Sequence, residues 1–352
     1  MKAYNGKISH KGTKAHRTTD FQPDGSRHKE KRKEKSFLSI LFFLLSSVPR
    51  TKSSMCLCVI ILIPIIAMSA CSRNTAQTGA QDPLAGQNQI NRIISAAPSN
   101  TEIITGLGLG DRIIAIDQYS KGIPGLPDNL PEIDFFYPDT EAVIGLNPDI
   151  IFVNEINSFG VADNPFKLLG DLGIKVAEIR TSTSIEGIYG DILFIADALN
   201  VKERGEAMVM SLQAEIESIT EAGKKTTGKK SVYFEVSAMP TMVSFGQGTY
   251  LDEMIEIAGG SNIFADQIGW FSPSAEEIIN RNPDIIFTLL NHGVDPVSEI
   301  LSRKVFEGVT AIREKQVFVI DADSAARPSQ NIMTALREMA AAVNPSYYET
   351  SH

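Results

Sequence analysis

The segment Glu141-Ala-Val-Ile-Gly-Leu-Asn-Pro-Asp-Ile-Ile-Phe152 recurs almost unchanged as Glu276-Glu-Ile-Ile-Asn-Arg-Asn-Pro-Asp-Ile-Ile-Phe287 in the same 352-residue chain. In both copies the glutamate stands seven residues before the proline, at the head of a predicted helix. Asn-Pro-Asp ends that helix, because the residue before a proline avoids helical backbone. The apolar run that follows is typical of a buried parallel strand. The repeat indicates that two lobes are built to one plan.

Short β-branched runs alternate with amphipathic stretches on both sides of this repeat. The predicted strands are Arg92–Ala97, Arg112–Ile116, Asp149–Val153, Lys175–Ile179, Lys230–Val236, Asp284–Leu289 and Gln316–Ile320. The predicted helices among them are Ser99–Leu107, Asp139–Gly145, Pro165–Leu172, Tyr250–Ala258, Ser274–Asn280 and Ser329–Ala342. This alternation favours mostly parallel sheets covered on both faces, so we predict the α/β class with two three-layer lobes. Ser99, with Glu102 three residues later, predicts a capping box at the first helix.

A helical stretch separates the two halves. Residues 184–199 are followed by a break at Asn200 and Val201, and then by residues 202–223, whose apolar side chains repeat at helical spacing. At 1.5 Å per residue this second helix spans roughly 30 Å, enough to cross between two small domains. We therefore predict an N-terminal lobe at residues 92–200, a single interlobe helix at 201–224 and a C-terminal lobe at 225–352.

Charge is divided unevenly along the chain. Residues before Cys71 carry 13 Lys/Arg and 4 Asp/Glu, a net charge of +9, and the remainder carries 20 Lys/Arg and 38 Asp/Glu, a net charge of −18. Such an acidic body argues against a nucleic-acid partner, which needs cationic surface to displace phosphate counterions. The composition, 43% hydrophobic and 21% charged, also argues against a disordered chain.

All three cysteines lie in or at the end of one short apolar stretch, which positive residues precede. The acidic body therefore has no disulfide framework and no cysteine-ligated metal site. Positive residues, a short apolar run and then small residues indicate a secretory signal. We expect translation to start downstream of Met1, or the long leader to be removed with the signal.

Ser-Ala-Cys71, at the end of this signal, resembles the bacterial lipobox. The resemblance implies cleavage before Cys71 and lipidation of its thiol, and the alternative is a plain signal peptide with an incidental cysteine. We predict a leader and signal peptide at residues 1–70 and a flexible tether at 71–91, rich in Gln, Ala, Gly and Asn. The protein is then expected to be exported and lipid-anchored to the bacterial cell membrane, on its periplasmic or outer side.

Motifs of catalysis are missing from the sequence. It contains no Gly-x-Ser-x-Gly elbow, no His-Glu-x-x-His pair and no Walker loop, so we predict no catalytic residue and no enzyme. The Gly-x-Gly-x-Gly at Gly106 follows a predicted helix instead of opening one, which indicates a helix end and a turn. The body has only His292 and His352, which argues against zinc or manganese sites built from several imidazoles.

The segment Ile93-Ile-Ser-Ala-Ala-Pro-Ser-Asn-Thr-Glu102, followed by Gly-Leu-Gly-Leu-Gly-Asp-Arg112, resembles the opening of bacterial solute-binding proteins of ABC importers for iron–siderophores, haem and cobalamin. The resemblance continues through both Asn-Pro-Asp segments, Gly259-Gly-Ser-Asn-Ile-Phe264 and Ala326-Arg-Pro328. It implies two α/β lobes joined by one long helix, with the ligand in the cleft between them. It also implies capture of an iron chelate, haem or cobalamin and its delivery to a permease with its ATPase.

Members of this family carry one glutamate on each lobe that pairs with arginines of the permease. The resemblance places these permease-docking residues at Glu141 and Glu276. Exposed ion pairs each contribute only about 0–1 kcal/mol, but they fix register and accelerate encounter. The alternative is a pair of glutamates favoured only by the helix dipole.

Ligand contacts are expected on loops that follow the carboxyl ends of the strands, where clefts of α/β proteins open. The candidates are Ser99, Asn100, Tyr119, Phe136, Tyr137, Phe245, Trp270, Phe271, His292 and Arg327. Aromatic residues suit a planar or bulky chelate, and an arginine suits an anionic one. We expect Arg327 to supply that cation, with packing of the loops as the alternative role of the aromatic clusters.

His292 follows a predicted strand, and with Tyr137 of the other lobe it would form a pair of axial ligands for haem iron. The alternative is a solvent-exposed loop histidine, and no protein-bound metal or covalent cofactor is predicted. We expect a monomer that binds a small metal chelate. Two other functions stay open: a chelate-processing enzyme at the cell surface, and a sensory or scaffold lipoprotein of the same fold.

Overall fold

The computed structural model describes residues 89–134, 136–158, 165–225, 228–290 and 295–345. The predicted signal peptide and the lipidation site Cys71 lie outside the described residues, as do His292 and Phe135. Among the residues described, no helix combines the length and the apolar character that crossing a membrane requires.

The first half of the described chain alternates strands and helices. Its elements are β1 (Ile93–Ser95), α1 (Pro98–Gly106), β2 (Ile113–Asp117), β3 (Glu132–Ile133), α2 (Thr140–Gly145), β4 (Ile150–Asn154), α3 (Pro165–Asp171), β5 (Val176–Ile179) and α4 (Ile185–Ala198). The strands form one sheet in the order β3-β2-β1-β4-β5, and each neighbouring pair is parallel. The central strands β1 and β4 are buried along their whole length, as expected when helices cover both faces.

A long helix, α5 (Lys202–Lys224), connects this sheet to the second half of the chain. Near its start, a Cβ placed on Gly205 would lie only 2.5 Å from the Cβ of Ala196 in α4. Near its end, a Cβ on Gly223 would lie 2.9 Å from the backbone nitrogen of Gly259. Both ends of the helix therefore approach their neighbours closely because glycine leaves the space.

The second half repeats the alternation with shorter elements. They are β6 (Ser231–Glu235), β7 (Ser244–Phe245), α6 (Tyr250–Ile257), β8 (Ser261–Asn262), β9 (Trp270–Phe271), α7 (Ala275–Arg281), β10 (Ile285–Thr288), α8 (Pro296–Leu301), α9 (Thr310–Arg313), β11 (Val317–Val319), α10 (Ala322–Ala326) and α11 (Ile332–Val343). A parallel sheet has the order β11-β10-β6-β8, and β7 pairs with β9 in an antiparallel ribbon. Single 3₁₀ turns occur at Gly110–Arg112, Glu155–Ser158 and Lys304–Phe306.

Each sheet has its own hydrophobic core. We call β1 to α4 the first lobe, whose core includes Val143 and Phe166, and β6 to α11 the second lobe, whose core includes Ile278 and Phe306. These four side chains are 0–1% exposed. The predicted fold class, two α/β lobes with mostly parallel sheets, is confirmed by this architecture.

The sequence repeat extends to backbone conformation and hydrogen bonding. In each copy the asparagine before the proline has left-handed backbone, with φ of 47° and 46°. The carboxylate of Asp149 accepts a hydrogen bond of 2.9 Å from the backbone N–H of Arg92, just before β1. That of Asp284 accepts one of 2.8 Å from the backbone N–H of Ser231, the first residue of β6. Asn-Pro-Asp thus ends a helix and fixes the start of the neighbouring strand in both lobes.

Candidate functional site

The carboxyl ends of the parallel strands position the candidate site. Because the strands of each sheet run in one direction, the segments that follow them gather at one edge. In the first lobe these segments include the start of α1 and the residues after β2 and β3. In the second lobe the β7–β9 ribbon begins where β6 ends, since the backbone N–H of Val236 donates to the carbonyl of Val243 at 3.0 Å.

The start of α1 buries two of the predicted ligand contacts. Ser99 is 8% exposed and Asn100 is 1% exposed. The predicted capping box is wrong: the N-cap residue is Ala97, and no side chain caps the helix. The Nδ2 atom of Asn100 is buried and has no hydrogen-bond partner among the described residues.

A chain of buried polar side chains lies beside α1, at the carboxyl ends of β1 and β2. Thr101 Oγ1 donates to Ser95 Oγ at 2.7 Å and lies 3.0 Å from Ser120 Oγ. Ser120 in turn donates to the carboxylate of Asp117, which also accepts from the backbone N–H of Tyr119. Burial raises the pKa of Asp117 to about 6, although the bonds from Ser120 and Tyr119 oppose that rise.

Glu102 of α1 contacts the second lobe. Its Oε1 lies 2.9 Å from Nη1 of Arg327, and its Oε2 accepts from the hydroxyl of Ser329. Its backbone carbonyl accepts a hydrogen bond of 2.8 Å from Nε2 of Gln330. Burial raises the pKa of Glu102, and the contacts with Ser329 and Arg327 oppose that rise. One residue of the first lobe therefore contacts three polar residues of the second lobe, one just before Pro328 and two just after it.

Arg327 has protein partners on both sides of the lobe boundary. Besides Glu102, it forms an ion pair of 2.8 Å with Asp323 of α10, and Nη2 lies 3.4 Å from the carbonyl oxygen of Tyr119. Its side chain is 19% exposed. The guanidinium predicted to receive an anionic ligand is therefore shared by two carboxylates of the protein itself.

A polar cavity of about 260 Å³ opens beside this ion pair. Its lining includes Glu102 and Lys121 of the first lobe and Asp321, Asp323 and Arg327 of the second. The volume is below the roughly 300–1,000 Å³ of pockets that hold drug-sized ligands. Three carboxylates and two cations make this lining strongly charged and close to neutral overall.

Trp270 and Phe271 form strand β9, and both side chains are partly buried. The ring of Trp270 packs edge-on against Phe245, with centroids 5.6 Å apart, and Phe271 packs against Phe264 at 5.0 Å. Phe245 itself is 0% exposed, so its ring belongs to the core beneath Trp270 and does not reach the surface. The ribbon thus holds Trp270 against the core through Phe245 and leaves part of its side chain exposed.

The segment after β3 contains Phe136 and Tyr137, two of the aromatic residues predicted to contact the ligand. The backbone N–H groups of Phe136 and Tyr137 donate to Oδ1 of Asp134 at 2.9 and 2.8 Å, which holds this turn in place. Phe136 is half-buried, whereas Tyr137 is 73% exposed. Tyr119, after β2, is half-buried. The pairing of Tyr137 with His292 stays a prediction, because His292 lies outside the described residues.

Two residues at this edge were not predicted as site residues. Glu102 was interpreted as a local cap, and its long-range partners leave no signal in the sequence. Arg180 directly follows β5, is exposed, and has no ion pair within the described part of the chain. The sequence could have indicated Arg180 as a site residue, because it directly follows the predicted strand Lys175–Ile179. Among the described residues, Arg180 is thus a cation at the carboxyl edge without an ion pair, unlike Arg327.

Glu141 and Glu276 occupy equivalent positions in the two lobes. Each is the second residue of its helix, α2 or α7, and each is exposed. The helices are capped by Asp139 and Ser274, so neither glutamate is needed as the cap. No ion pair or side-chain hydrogen bond within the described residues engages either carboxylate. Since each helix leads into the start of a parallel strand, its first turn lies toward the carboxyl edge of the sheet.

Known proteins are similar to this chain in sequence and in architecture. The lipoprotein YvrC of Bacillus subtilis, an uncharacterised ABC transporter substrate-binding lipoprotein, is 28% identical over 263 residues, covering 73% of this chain and 81% of YvrC. A vitamin B12-binding protein of Vibrio campbellii is 27% identical over 253 residues, covering 70% of this chain and 87% of the relative.

The crystal structure of a Staphylococcus epidermidis protein, described as a possible iron-binding (periplasmic solute-binding) protein, superposes with a TM-score of 0.66. It is 27% identical, and the match covers 73% of this chain and 99% of that protein. Residues 93–324, which contain both copies of the repeat and the connecting helix, match the family described as periplasmic binding protein. The chain belongs to the periplasmic binding protein family.

Proposed function

We propose that this protein is the solute-binding component of an ABC importer, and that it captures a metal chelate or a corrinoid between its lobes. The observation that carries the proposal is the placement of aromatic side chains at the carboxyl edges of both sheets, Phe136 and Tyr137 on one lobe and Trp270 on the other. A planar or bulky ligand held between two lobes needs apolar walls on both sides. Membership of the periplasmic binding protein family supports the same role.

The ligand class follows from the relatives and from the cations at the cleft. A relative named as a vitamin B12-binding protein is 27% identical over most of its length, so a corrinoid is the first candidate. Haem and ferric siderophores carry carboxylate or other anionic groups that suit an arginine. Arg327 must exchange a carboxylate of the protein for one of the ligand, whereas Arg180, which forms no ion pair with any residue that the structure describes, is free of that cost.

Delivery requires a partner in the membrane. We assign this role to an ABC permease with its ATPase, met through Glu141 and Glu276, which are exposed at equivalent positions of the two lobes. Cys71 is assigned as the lipidated residue that keeps the exported protein at the membrane, in line with a relative named as a lipoprotein. A monomer suffices for this scheme, because one chain contains both lobes and both docking glutamates.

The experiment is a thermal denaturation screen of the purified protein with cyanocobalamin, haem and a ferric siderophore. A ligand that binds only the native state stabilises it by about 2.7 kcal/mol at a concentration of 100 times Kd. We expect one of the three to raise Tm in proportion to the logarithm of its concentration, and to be recovered chemically unchanged. Recovery of a modified ligand would indicate an enzyme, and no shift with any of the three would reject a chelate or corrinoid ligand.

A further inference from the structure

The repeated helices α2 and α7 keep two exposed residues that the fold does not need. Of the positions identical in both copies, asparagine, proline, aspartate and the strand residues have structural roles in ending the helix and placing β4 and β10. The remaining identical positions are the glutamate, Glu141 or Glu276, and the isoleucine three residues later, Ile144 or Ile279. Ile144 is 42% exposed and Ile279 is 37% exposed.

Packing within the lobes does not account for these isoleucines. The core side of each helix is filled by the preceding residue, Val143 or Ile278, and both of these are 0% exposed. Isoleucine is also a poorer helix former than alanine, leucine or lysine, so local propensity does not favour it at a surface position. Single exposed apolar residues are ordinary on protein surfaces, but these two occupy the same position of a duplicated helix.

The neighbouring exposed positions of the two copies differ in chemical character. Where α2 has alanine at its third residue, α7 has glutamate, and where α2 has glycine at its sixth residue, α7 has asparagine. The following position, which is partly buried in both copies, is leucine in one and arginine in the other. The glutamate and the isoleucine, in contrast, are identical in the two copies. They lie three residues apart, and residues at that spacing are neighbours on one helix face.

We propose that Ile144 and Ile279 are apolar contacts of the surface that docks onto the permease, each one turn along its helix from Glu141 or Glu276. The inference rests on the proposed function and deepens its docking site. Because both lobes carry the same glutamate and isoleucine pair, the partner presents one kind of surface twice: a cationic side chain beside a shallow apolar hollow. Two equivalent permease subunits would provide such a pair of surfaces.

The glutamates and the isoleucines contribute to docking in different ways. Exposed ion pairs fix orientation and accelerate encounter, and salt screens them. Burial of apolar surface contributes affinity that salt does not screen, at roughly 25 cal/mol per Å². The isoleucines therefore account for complex stability at physiological ionic strength, where two glutamates alone contribute little.

The test is binding of the full-length protein to its permease–ATPase complex in nanodiscs over a series of salt concentrations. The variants are I144S/I279S, E141Q/E276Q and, as a matched control, Met210→Ser, which removes an apolar side chain of 68% exposure from α5. We expect I144S/I279S to weaken binding about tenfold or more at every salt concentration, with an unchanged salt slope. E141Q/E276Q should flatten the slope, and Met210→Ser should bind like the wild type.

Ligand affinity and Tm are measured for each variant to separate an effect on docking from an effect on folding. All five substituted side chains are exposed, so we expect the substitutions to leave ligand affinity and Tm unchanged. Binding of I144S/I279S within twofold of the wild type would overturn the role of the isoleucines while the glutamates stand. If E141Q/E276Q also keeps the wild-type affinity and salt slope, the docking site of the proposed function fails as well.

Discussion

Arg327 of the second lobe and Glu102 of the first lobe form an ion pair, with Nη1 and Oε1 2.9 Å apart. The Glu102 side chain is 4% exposed, and its other carboxylate oxygen accepts a hydrogen bond from the hydroxyl of Ser329. The two lobes are therefore joined covalently through α5, and the Glu102 carboxylate adds a non-covalent link beside that of Ile185, whose backbone N–H donates to Glu253 at 2.8 Å. A change in the relative position of the lobes must break or rearrange the contacts of Glu102.

Removing one member of this pair should destabilise the protein. Arg327→Gln leaves the buried carboxylate of Glu102 without a cation, and we expect the free energy of unfolding to fall by about 2–4 kcal/mol. Glu102→Gln should cost less, because Arg327 keeps Asp323. Urea denaturation of both single variants and the double variant gives the coupling energy. Additive effects of the two substitutions would contradict a direct interaction.

Two helical glycines with different surroundings should respond in opposite ways to substitution by alanine. A Cβ on Gly223 would lie 2.7 Å from the backbone oxygen of Ile257, so Gly223→Ala should destabilise by about 1–3 kcal/mol. Gly190 of α4 is exposed and has no atom within 4 Å of an added Cβ. Gly190→Ala should therefore stabilise by about 0.5–1 kcal/mol through helix propensity. Equal Tm changes in the two variants would contradict the packing described for α5.

Asp117 predicts how stability depends on pH. Its pKa is about 6 in the folded protein and near 3.9 in an unfolded chain, so between these values the folded state holds a proton that the unfolded state has released. The free energy of unfolding should therefore fall as pH rises from about 4 to 6, by about 1.4 kcal/mol per unit from this group. Burial also raises the pKa of Asp191 to about 6, and that residue adds to the slope.

Asparagine resembles a protonated carboxyl group in shape and does not titrate, so an Asp→Asn variant removes the contribution of that group to the pH dependence. Denaturation curves at pH 4, 5, 6 and 7 should show a smaller loss of stability for Asp117→Asn than for the wild type, and the smallest loss for D117N/D191N. An unchanged slope in Asp117→Asn would show that Asp117 is already ionised in this range and would refute the assigned pKa.

The sequence predicts the longer strands and helices closely, whereas the short strands β3 and β8 and the short helices α8 to α10 were not predicted. Predicted strand Asp149–Val153 and helix Lys202–Gly223 correspond to β4 (Ile150–Asn154) and α5 (Lys202–Lys224), because long periodic or continuous apolar runs leave a clear signal. The two-residue strands β7 and β9 were not predicted. They depend on pairing between residues about 26 positions apart, and two residues carry no measurable periodicity.

The candidate site was less predictable, for a related reason. Ser99 and Glu102 fit a local capping box, but Glu102 pairs with a residue 225 positions away, and that interaction prevails over the local one. Phe245, like the other candidates, was predicted to contact the ligand because it comes after a predicted strand. In the structure its ring packs between Phe234 and Trp270 and is buried. Sequence alone placed these side chains at the carboxyl edge and could not tell which of them face inward.

Trp270 is the only tryptophan in the chain and lies where the ligand is proposed to bind, so its fluorescence is a direct reporter. The decisive measurement is an equilibrium titration of the purified protein with cyanocobalamin, haem and a ferric siderophore, corrected for absorption by the ligand. We predict that one of them quenches Trp270 saturably at one ligand per protein, and that Trp270→Ala binds that ligand at least tenfold more weakly by calorimetry. Tight binding with unchanged Trp270 emission and an unaffected Trp270→Ala variant would contradict the proposed cleft, and binding of none of the three would contradict the proposed function.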